Sequence, residues 1–254
     1  MIFDSHAHYD SHKFDDDRTQ VLSEFLPAHH VGCVINCGSD FASSEFSLKL
    51  AEEYDYIYAA VGVHPHEAEE AGAWNPKRLK DLAAHPKCVA IGEIGLDYHY
   101  DFSPRPLQKE WFEKQILLAK ELDLPIIVHD REAHADTWEL LKAHRPRGVV
   151  HCFSGSVEMA RDILSIGMDI GLGGAVTFKN AKTPVEVAKY LPLDRILLET
   201  DCPYMTPVPY RGQRCDSSHI AVTAERIAEI KGITVEQLLA AAEQNARRLF
   251  GLAL

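Results

Sequence analysis

Nowhere does this 254-residue sequence approach the ~18 consecutive apolar residues that a membrane-spanning helix needs. Low-complexity blocks, linkers and long charge runs are also missing, so the chain is read as a single domain over residues 1–254. With 46% hydrophobic and 25% charged residues, 15 Gly and 13 Pro, it is excluded from the collagen, coiled-coil and disordered classes. Basic residues are scarce: Lys+Arg number 26 against 38 Asp+Glu, a formal net charge of −12. Broad gripping of duplex DNA draws its affinity from phosphate neutralisation, and this balance argues against it. A small site that takes one strand end stays open, and bound divalent cations would offset part of the acidity. The six cysteines (Cys33, Cys37, Cys88, Cys152, Cys202, Cys215) are scattered, and Cys33 and Cys37 lack the CxxC spacing of a redox or zinc motif. The opening MIFDSHAHYD has neither the basic start nor the long apolar run of a signal peptide. It reads as the mature start of a cytoplasmic protein with buried free thiols. Nucleotide-binding glycine motifs are absent too: Gly171-Leu172-Gly173-Gly174 has the spacing of neither GxGxxG nor a P-loop.

What recurs instead is a short, β-rich apolar segment roughly every 20 to 35 residues, with helix-like sequence between. The expected strands are Ile2–Ser5, Val31–Cys37, Ile57–Val63, Cys88–Ile94, Pro125–Val128, Gly148–Cys152, Met168–Leu172 and Arg195–Glu199. Several are apolar on both faces, as in VGCVINC and PIIVH, which suits a parallel sheet covered by helices. Thr183-Pro184-Val185-Glu186 predicts a capping box with Pro at the first helical position, and Thr234 with Gln237 predicts another before a last helix that Gly251 ends. Leu107, Trp111, Leu118 and Leu122 recur at helical spacing and are expected to face the core. Eight strands alternating with helices in this length fit an α/β fold of the (β/α)8 TIM-barrel type, with a doubly wound open sheet as the alternative.

In a barrel, chemistry belongs where strands end. Strand one ends in Asp4-Ser5-His6-Ala7-His8, and alternation puts His6 and His8 on one side, within reach of one metal. Strand four ends in Gly92-Glu93-Ile94-Gly95-Leu96-Asp97, strand five at His129, strand six at His151 and strand eight in Glu199-Thr200-Asp201. Burying such groups unpaired costs kilocalories each, whereas coordination gives them partners. Four imidazoles and two carboxylates at one rim exceed what one catalytic metal with an open position takes. They suit two divalent ions sharing one carboxylate, drawn from Zn, Mn, Mg, Co and Ni. Alternation turns Cys152 and Cys202 away from the neighbouring ligands. His64-Pro65-His66 ends strand three with the spacing of strand one, and spacing alone does not say which pair binds metal.

FDSHAHYD, GVHPH, IGEIGLDYH, IIVHDRE, VVHCFSGS, FKNAK, LLETDCPYMTPVPYRG and NARRLFG, in order from residue 1 to about 251, resemble the TatD-type deoxyribonucleases of the amidohydrolase superfamily. The resemblance implies a two-metal TIM barrel with metal-dependent exonuclease activity on phosphodiester bonds. It implies His6 and His8 on one metal, His129 and His151 on the other, Glu93 bridging, and Asp201 both ligating and acting on the water. His64 and His66 match positions near the substrate phosphate, with Arg211 and Ser154 as weaker candidates. One departure stands out: after PYRG the family often runs Lys/Arg-Asn-Glu-Pro, whereas here Gln213–His219 reads QRCDSSH. That difference puts substrate preference in doubt.

The expected reaction is therefore hydrolysis of a phosphodiester at a nucleic-acid end, with single-stranded DNA as partner and Asp201 and Glu93 as catalytic residues. Glu199 either orients a ligand His or pairs with Arg or Lys as a structural carboxylate. Tyr98, Tyr100, Phe102, Tyr204 and Tyr210 either stack on bases or anchor loops. Arg131, Lys179, Arg211 and Arg214 either meet phosphate or are solvated surface charges. A different enzyme reading is an amidohydrolase acting on a small ester, lactone, amide or phosphotriester, or on aminoacyl-tRNA esters. A binding or scaffold role with a vestigial site is the non-enzymatic alternative. No obligate protein partner is indicated, and a monomer is the default.

Overall fold

The computed structural model describes residues 1–253. Eight parallel strands form one sheet in sequence order: β1 (Ile2–Ala7), β2 (Val31–Cys37), β3 (Ile57–Val61), β4 (Cys88–Asp97), β5 (Ile126–Arg131), β6 (Gly148–Val150), β7 (Asp169–Leu172) and β8 (Ile196–Leu198). The crossovers are helical: α1 (Arg18–Gln20) and α2 (Leu26–Ala28) with a π-helical stretch between, then α3 (Phe41–Glu53), α4 (Pro76–Ala83), α5 (Arg105–Glu121), α6 (His134–His144), α7 (Val157–Ser165), α8 (Lys182–Tyr190), α9 (Ile220–Lys231) and α10 (Val235–Phe250). This is a (β/α)8 barrel, and the open-sheet alternative falls.

The sequence rules that worked are local ones. Thr234 caps α10 in a reciprocal box with Gln237, and Gly251 ends it in the left-handed region. Trp111 and Leu118 are buried on α5, with Leu107 and Leu122 packed at the edge of the core. The Thr183 box is a misreading: α8 starts two residues earlier, with Ala181 at the cap and no side-chain cap bond. Pro184 then falls at the third helical position, where its missing N–H is still outside the helical ladder.

One buried cluster draws on seven of the strands, through Phe3, Ile35, Ala60, Val89, Ile127, Val149 and Leu197 among others, and joins them to Leu249 and Phe250. Helix α10 thus covers the end of the barrel where these strands begin. The opposite rim is left to the site. Strands β4 and β5 run further toward it than expected, so that β4 reaches Asp97 and His129 and Arg131 lie inside β5. Gly95 pairs with His129 at φ +148°, and any side chain there would collide with the His129 carbonyl.

The closure between β1 and β8 is made differently from the other seven junctions. A single bridge, Ala7 with Cys202, replaces a ladder, flanked by Asp201 N–H to His6 O (3.0 Å) and His8 N–H to Cys202 O (2.8 Å). Side chains do the rest. Asp4, fully buried, accepts from Thr200 N–H (3.0 Å), Thr200 Oγ1 (2.6 Å), Ser217 Oγ (2.7 Å) and His6 N–H (3.2 Å). Ser5 Oγ donates to Leu198 O at 3.0 Å. Burial raises Asp4 to about 6 despite these bonds.

Candidate metal centre

The strand ends bring all six expected ligands together, and Glu93 stands at their middle. Its Oε1 lies 2.7 Å from His151 Nε2 and 2.9 Å from His129 Nδ1. Its Oε2 lies 3.5 Å from the Nε2 atoms of both His6 and His8. Asp201 Oδ1 completes the second set, at 3.4 Å from His8 and 3.7 Å from His6. Three groups of donor atoms are close enough to hold an ion: His6/His8/Asp201, His6/Glu93/His151 and His64/Glu93/His129.

Tautomers decide which nitrogens are available. His8 Nδ1 faces the Cys37 carbonyl at 2.8 Å, so Nδ1 carries hydrogen and Nε2 is left for a ligand. His129 Nε2 faces Asp97 Oδ2 at 3.0 Å, so Nε2–H donates there and Nδ1 is left facing Glu93. His64 is the reverse case. Its Nδ1 accepts from His66 N–H at 3.1 Å, so the neutral ring carries its proton on Nε2, the atom aimed at Glu93 from 3.7 Å. Burial drives His64 well below the ordinary histidine range, keeping it neutral. A donor at that position suits an anionic oxygen and not a cation, which separates the two HxH pairs that spacing left equal. His66 Nε2 is tied to Asp97 Oδ2 at 3.0 Å.

The electrostatics fit a cation. Burial works to raise Glu93, but the imidazoles of His151, His64 and His6 outweigh it and hold it well below the usual carboxylate range. Burial would also lower His8 and His129. Asp201 and Glu93 overcome it at His8, and Asp97 and Glu93 at His129, raising these rings to about 10 and about 9. His6, fully buried beside His151, is pushed down to about 4. In the metal-free protein, protons hold this cluster of lone pairs together, and a divalent cation would displace them.

Around the ligands lie supports, of which the sequence singled out Glu199 but gave Asp97 and Cys37 no role. Asp97 accepts four hydrogen bonds: from His66 and His129 on Oδ2, and from His99 N–H (3.0 Å) and Tyr100 N–H (2.9 Å) on Oδ1. Cys37 supplies its carbonyl to His8 and its Sγ to His6 Nδ1 at 3.5 Å. Glu199 is buried and ion-paired to no Arg or Lys among the described residues. Its Oε1 accepts from Cys152 N–H and lies 3.8 Å from His151 Nδ1, an atom with no other partner. Burial raises Glu199 to about 8, so near neutrality its carboxyl is largely protonated. The orienting reading of Glu199 is the one the geometry favours.

The ligands open into a cavity of about 590 Å³, walled also by Asp10, Ser11, Ser39, Glu67, Tyr100, Arg131, Tyr204 and Met205. Arg211 and Ser154 are not part of its wall: Arg211 stacks on Phe178 at 4.1 Å, and Ser154 Oγ turns to the Asp130 carbonyl. Tyr98 donates to Asp136, and Tyr210 packs against His219, so both serve as loop anchors. Lys179 is outside the wall, and Arg214 is paired with Asp17 through two bonds of 2.6 and 2.7 Å. The divergent segment 213–219 does not line the cavity either. It turns inward, with Ser217 bonded to Asp4 and to Tyr9 OH (2.7 Å), and buttresses β1.

Fold and site together define a metal-dependent hydrolase on a TIM barrel. The chain belongs to the TatD related DNase family, whose model matches residues 3–251. It is 47% identical to the uncharacterized metal-dependent hydrolase YabD of Bacillus subtilis (strain 168), over 98% of this chain and 99% of that one. It is 35% identical to the 3'-5' ssDNA/RNA exonuclease TatD of Pantoea ananatis, over 99% of this chain and all of the relative. The crystal structure of YJJV, a TatD homolog from Escherichia coli K12, superposes with a TM-score of 0.93 at 32% identity, covering 99% and 98% of the two chains. No helix among the described residues is long and apolar enough to cross a membrane.

Proposed function

We propose that this chain, as one hydrolase domain over residues 1–254, cleaves phosphodiester bonds at single-stranded ends of nucleic acid, in the cytoplasm, with two divalent ions. One observation carries the two-ion reading: the two oxygens of Glu93 face different ligand sets, His129/His151 and His6/His8. With Asp201 added to the second set, each ion has at least three protein donors and room for substrate. The ions, drawn from Zn, Mn, Mg, Co and Ni, would lower the pKa of water and draw charge from the phosphate oxygens.

The chain's own groups supply orientation and proton transfer. Asp201, lining the cavity beside His8, is the acceptor for the water proton. His64 Nε2–H is placed to donate to a non-bridging phosphate oxygen. His66 and His129 are both held by Asp97, which keeps His129 Nδ1 free. The six cysteines are unpaired, which fits a reducing compartment. A nucleic-acid substrate is further supported by the relative named as an ssDNA/RNA exonuclease.

A second reading has an observation of its own. Five carboxylates and one guanidinium line the cavity, which suits a small neutral ester, lactone, amide or phosphotriester, or an aminoacyl-tRNA ester. Time-resolved digestion of end-labelled single-stranded DNA separates the two. Metal-stripped protein is tested with Mg, Mn, Co or Zn restored, and Glu93→Ala is the contamination control. Stepwise shortening that needs metal and disappears in the variant is expected. Protein shown to hold two ions that shortens no strand would transfer the assignment to the small-ester reading.

A further inference from the structure

Two cations stand at opposite sides of the cavity mouth, each carried on a tyrosine of its wall. Arg131 lies two residues beyond His129 on β5, so its side chain leaves the same face about 6.6 Å nearer the rim. Its guanidinium sits 4.7 Å over the Tyr100 ring, and Tyr100 in turn stacks on Phe102 at 5.3 Å and 24°. Across the mouth, Lys13 Nζ sits 4.5 Å over the Tyr204 ring. Strands β4 and β5 face the β8–β1 closure across an eight-stranded barrel, so the two pairs flank the ligands from opposite sides.

Neither side-chain cation has an ion pair or a hydrogen bond among the described residues, although acidic groups are abundant nearby. Arg214 and Arg18, by contrast, are consumed by Asp17 and Asp15. Tyr100 and Tyr204 remain about half exposed, at 47% and 48%. Cations stacked on exposed rings keep their outward donors free for an anion. Tyr100 is fixed by its own N–H on Asp97, so this side is keyed to the same carboxylate that orients His129.

Building on the phosphodiesterase reading, we propose that Arg131 on Tyr100 and Lys13 on Tyr204 are two phosphate subsites, one on each side of the scissile bond. Each takes the phosphate next to the one being cleaved, and the aromatic beneath takes the adjoining base or sugar. A strand is thereby gripped at two isolated points, which lets a protein of net charge −12 bind a polyanion without a basic face.

Thymidylyl-thymidine tests this, because it has a single phosphate. Its hydrolysis by the metal-loaded protein is compared with that of the forms bearing an added 5′- or 3′-phosphate. Each added phosphate is expected to raise kcat/KM by roughly 10- to 100-fold, the range for one charge-assisted bond. Arg131→Gln should abolish the gain from one terminal phosphate and Lys13→Gln the gain from the other, while each variant keeps the gain it does not serve. A variant that merely folds badly lowers all three substrates alike and leaves both ratios intact, which would overturn the assignment, as would a wild-type gain at one end only. If the wild type cleaves none of the three, the phosphodiesterase reading itself falls and the subsites with it.

Discussion

Replacing Asp97 by Asn should spoil one metal position while leaving the fold standing. The wild-type carboxylate is an acceptor on all sides, with two backbone N–H groups on Oδ1 and the Nε2–H groups of His66 and His129 on Oδ2. An amide of the same shape cannot serve both sides. Facing its oxygen to the backbone places the NH2 against the two rings, which must then accept through Nε2. For His129 this moves the ring proton to Nδ1, where it donates to Glu93 Oε1 at the existing 2.9 Å separation. Hydrogen bonds are conserved in number, so the folding cost is small, but the nitrogen no longer offers a lone pair. Loss of such an outer partner typically weakens a metal 10- to 100-fold, about 1.4 to 2.7 kcal/mol. The weakening should fall on the ion held by His129, His151 and Glu93, and leave the His6/His8/Asp201 position near its wild-type affinity. Calorimetric titration with Mn or Zn reads the two affinities, and nitrogen-15 spectra of the imidazoles read the tautomer directly. Wild-type affinity at both positions, or a metal-loaded wild type with His129 protonated on Nδ1, would refute the reasoning.

Further outcomes follow from the same geometry. His134 donates through Nδ1 to Asp130 at 2.8 Å, and that bond raises its pKa in the folded state. Its stabilisation is therefore full below the unfolded imidazole value of about 6.5 and lost as pH rises through the folded one. Melting curves of wild type and His134→Gln should diverge at roughly pH 5.5 to 6 and converge in mildly alkaline buffer, and parallel curves would contradict this. Tyr9→Phe removes the acceptor of the buried Ser217 N–H (2.9 Å) and should cost about 1–3 kcal/mol in urea unfolding, with a loss below ~0.5 kcal/mol counting against the buttress. Stripping the metals should lower the melting temperature by the equivalent of about 2.7 kcal/mol for each ion, relative to protein with free metal at a hundred times that site's dissociation constant. An unchanged melt, with metal loss verified by elemental analysis, would disconnect the ions from the fold.

Much of this molecule could be read from one-dimensional pattern because a barrel repeats one rule eight times. A strand is an apolar run, and whatever polar residue ends it lands on the rim, so the rim candidates could be found from spacing, and the family resemblance picked His6, His8, Glu93, His129, His151 and Asp201 from among them. Asp97 was visible at the end of its strand, yet its part depends on rings 31 and 32 residues away. Cys37 acts through a carbonyl, which every residue has and no sequence marks. Arg131 was open between a phosphate contact and a surface charge, and Lys13 carried no reading, until the fold set tyrosines beneath them. The divergent 213–219 segment was misplaced at the cavity because its position after β8 pointed there. Its small polar side chains turn inward instead, as groups able to satisfy a buried Asp4 do. The Thr183 box failed because α8 already includes Thr183 as its second residue, which leaves Ala181 at the cap.

The junction between the first and last strands links supply to survival. Seven of the barrel's contacts are ladders, but the eighth is a few bonds around Asp4, and the centre's ligands come from both of its banks: His6 and His8 from one, Asp201 from the other. An ion that takes all three ties the opening residues of the chain to its last quarter. Deprived of it, the chain would part first at that junction, exposing its terminal strands to proteases, so cellular abundance would follow metal availability even where no turnover is demanded.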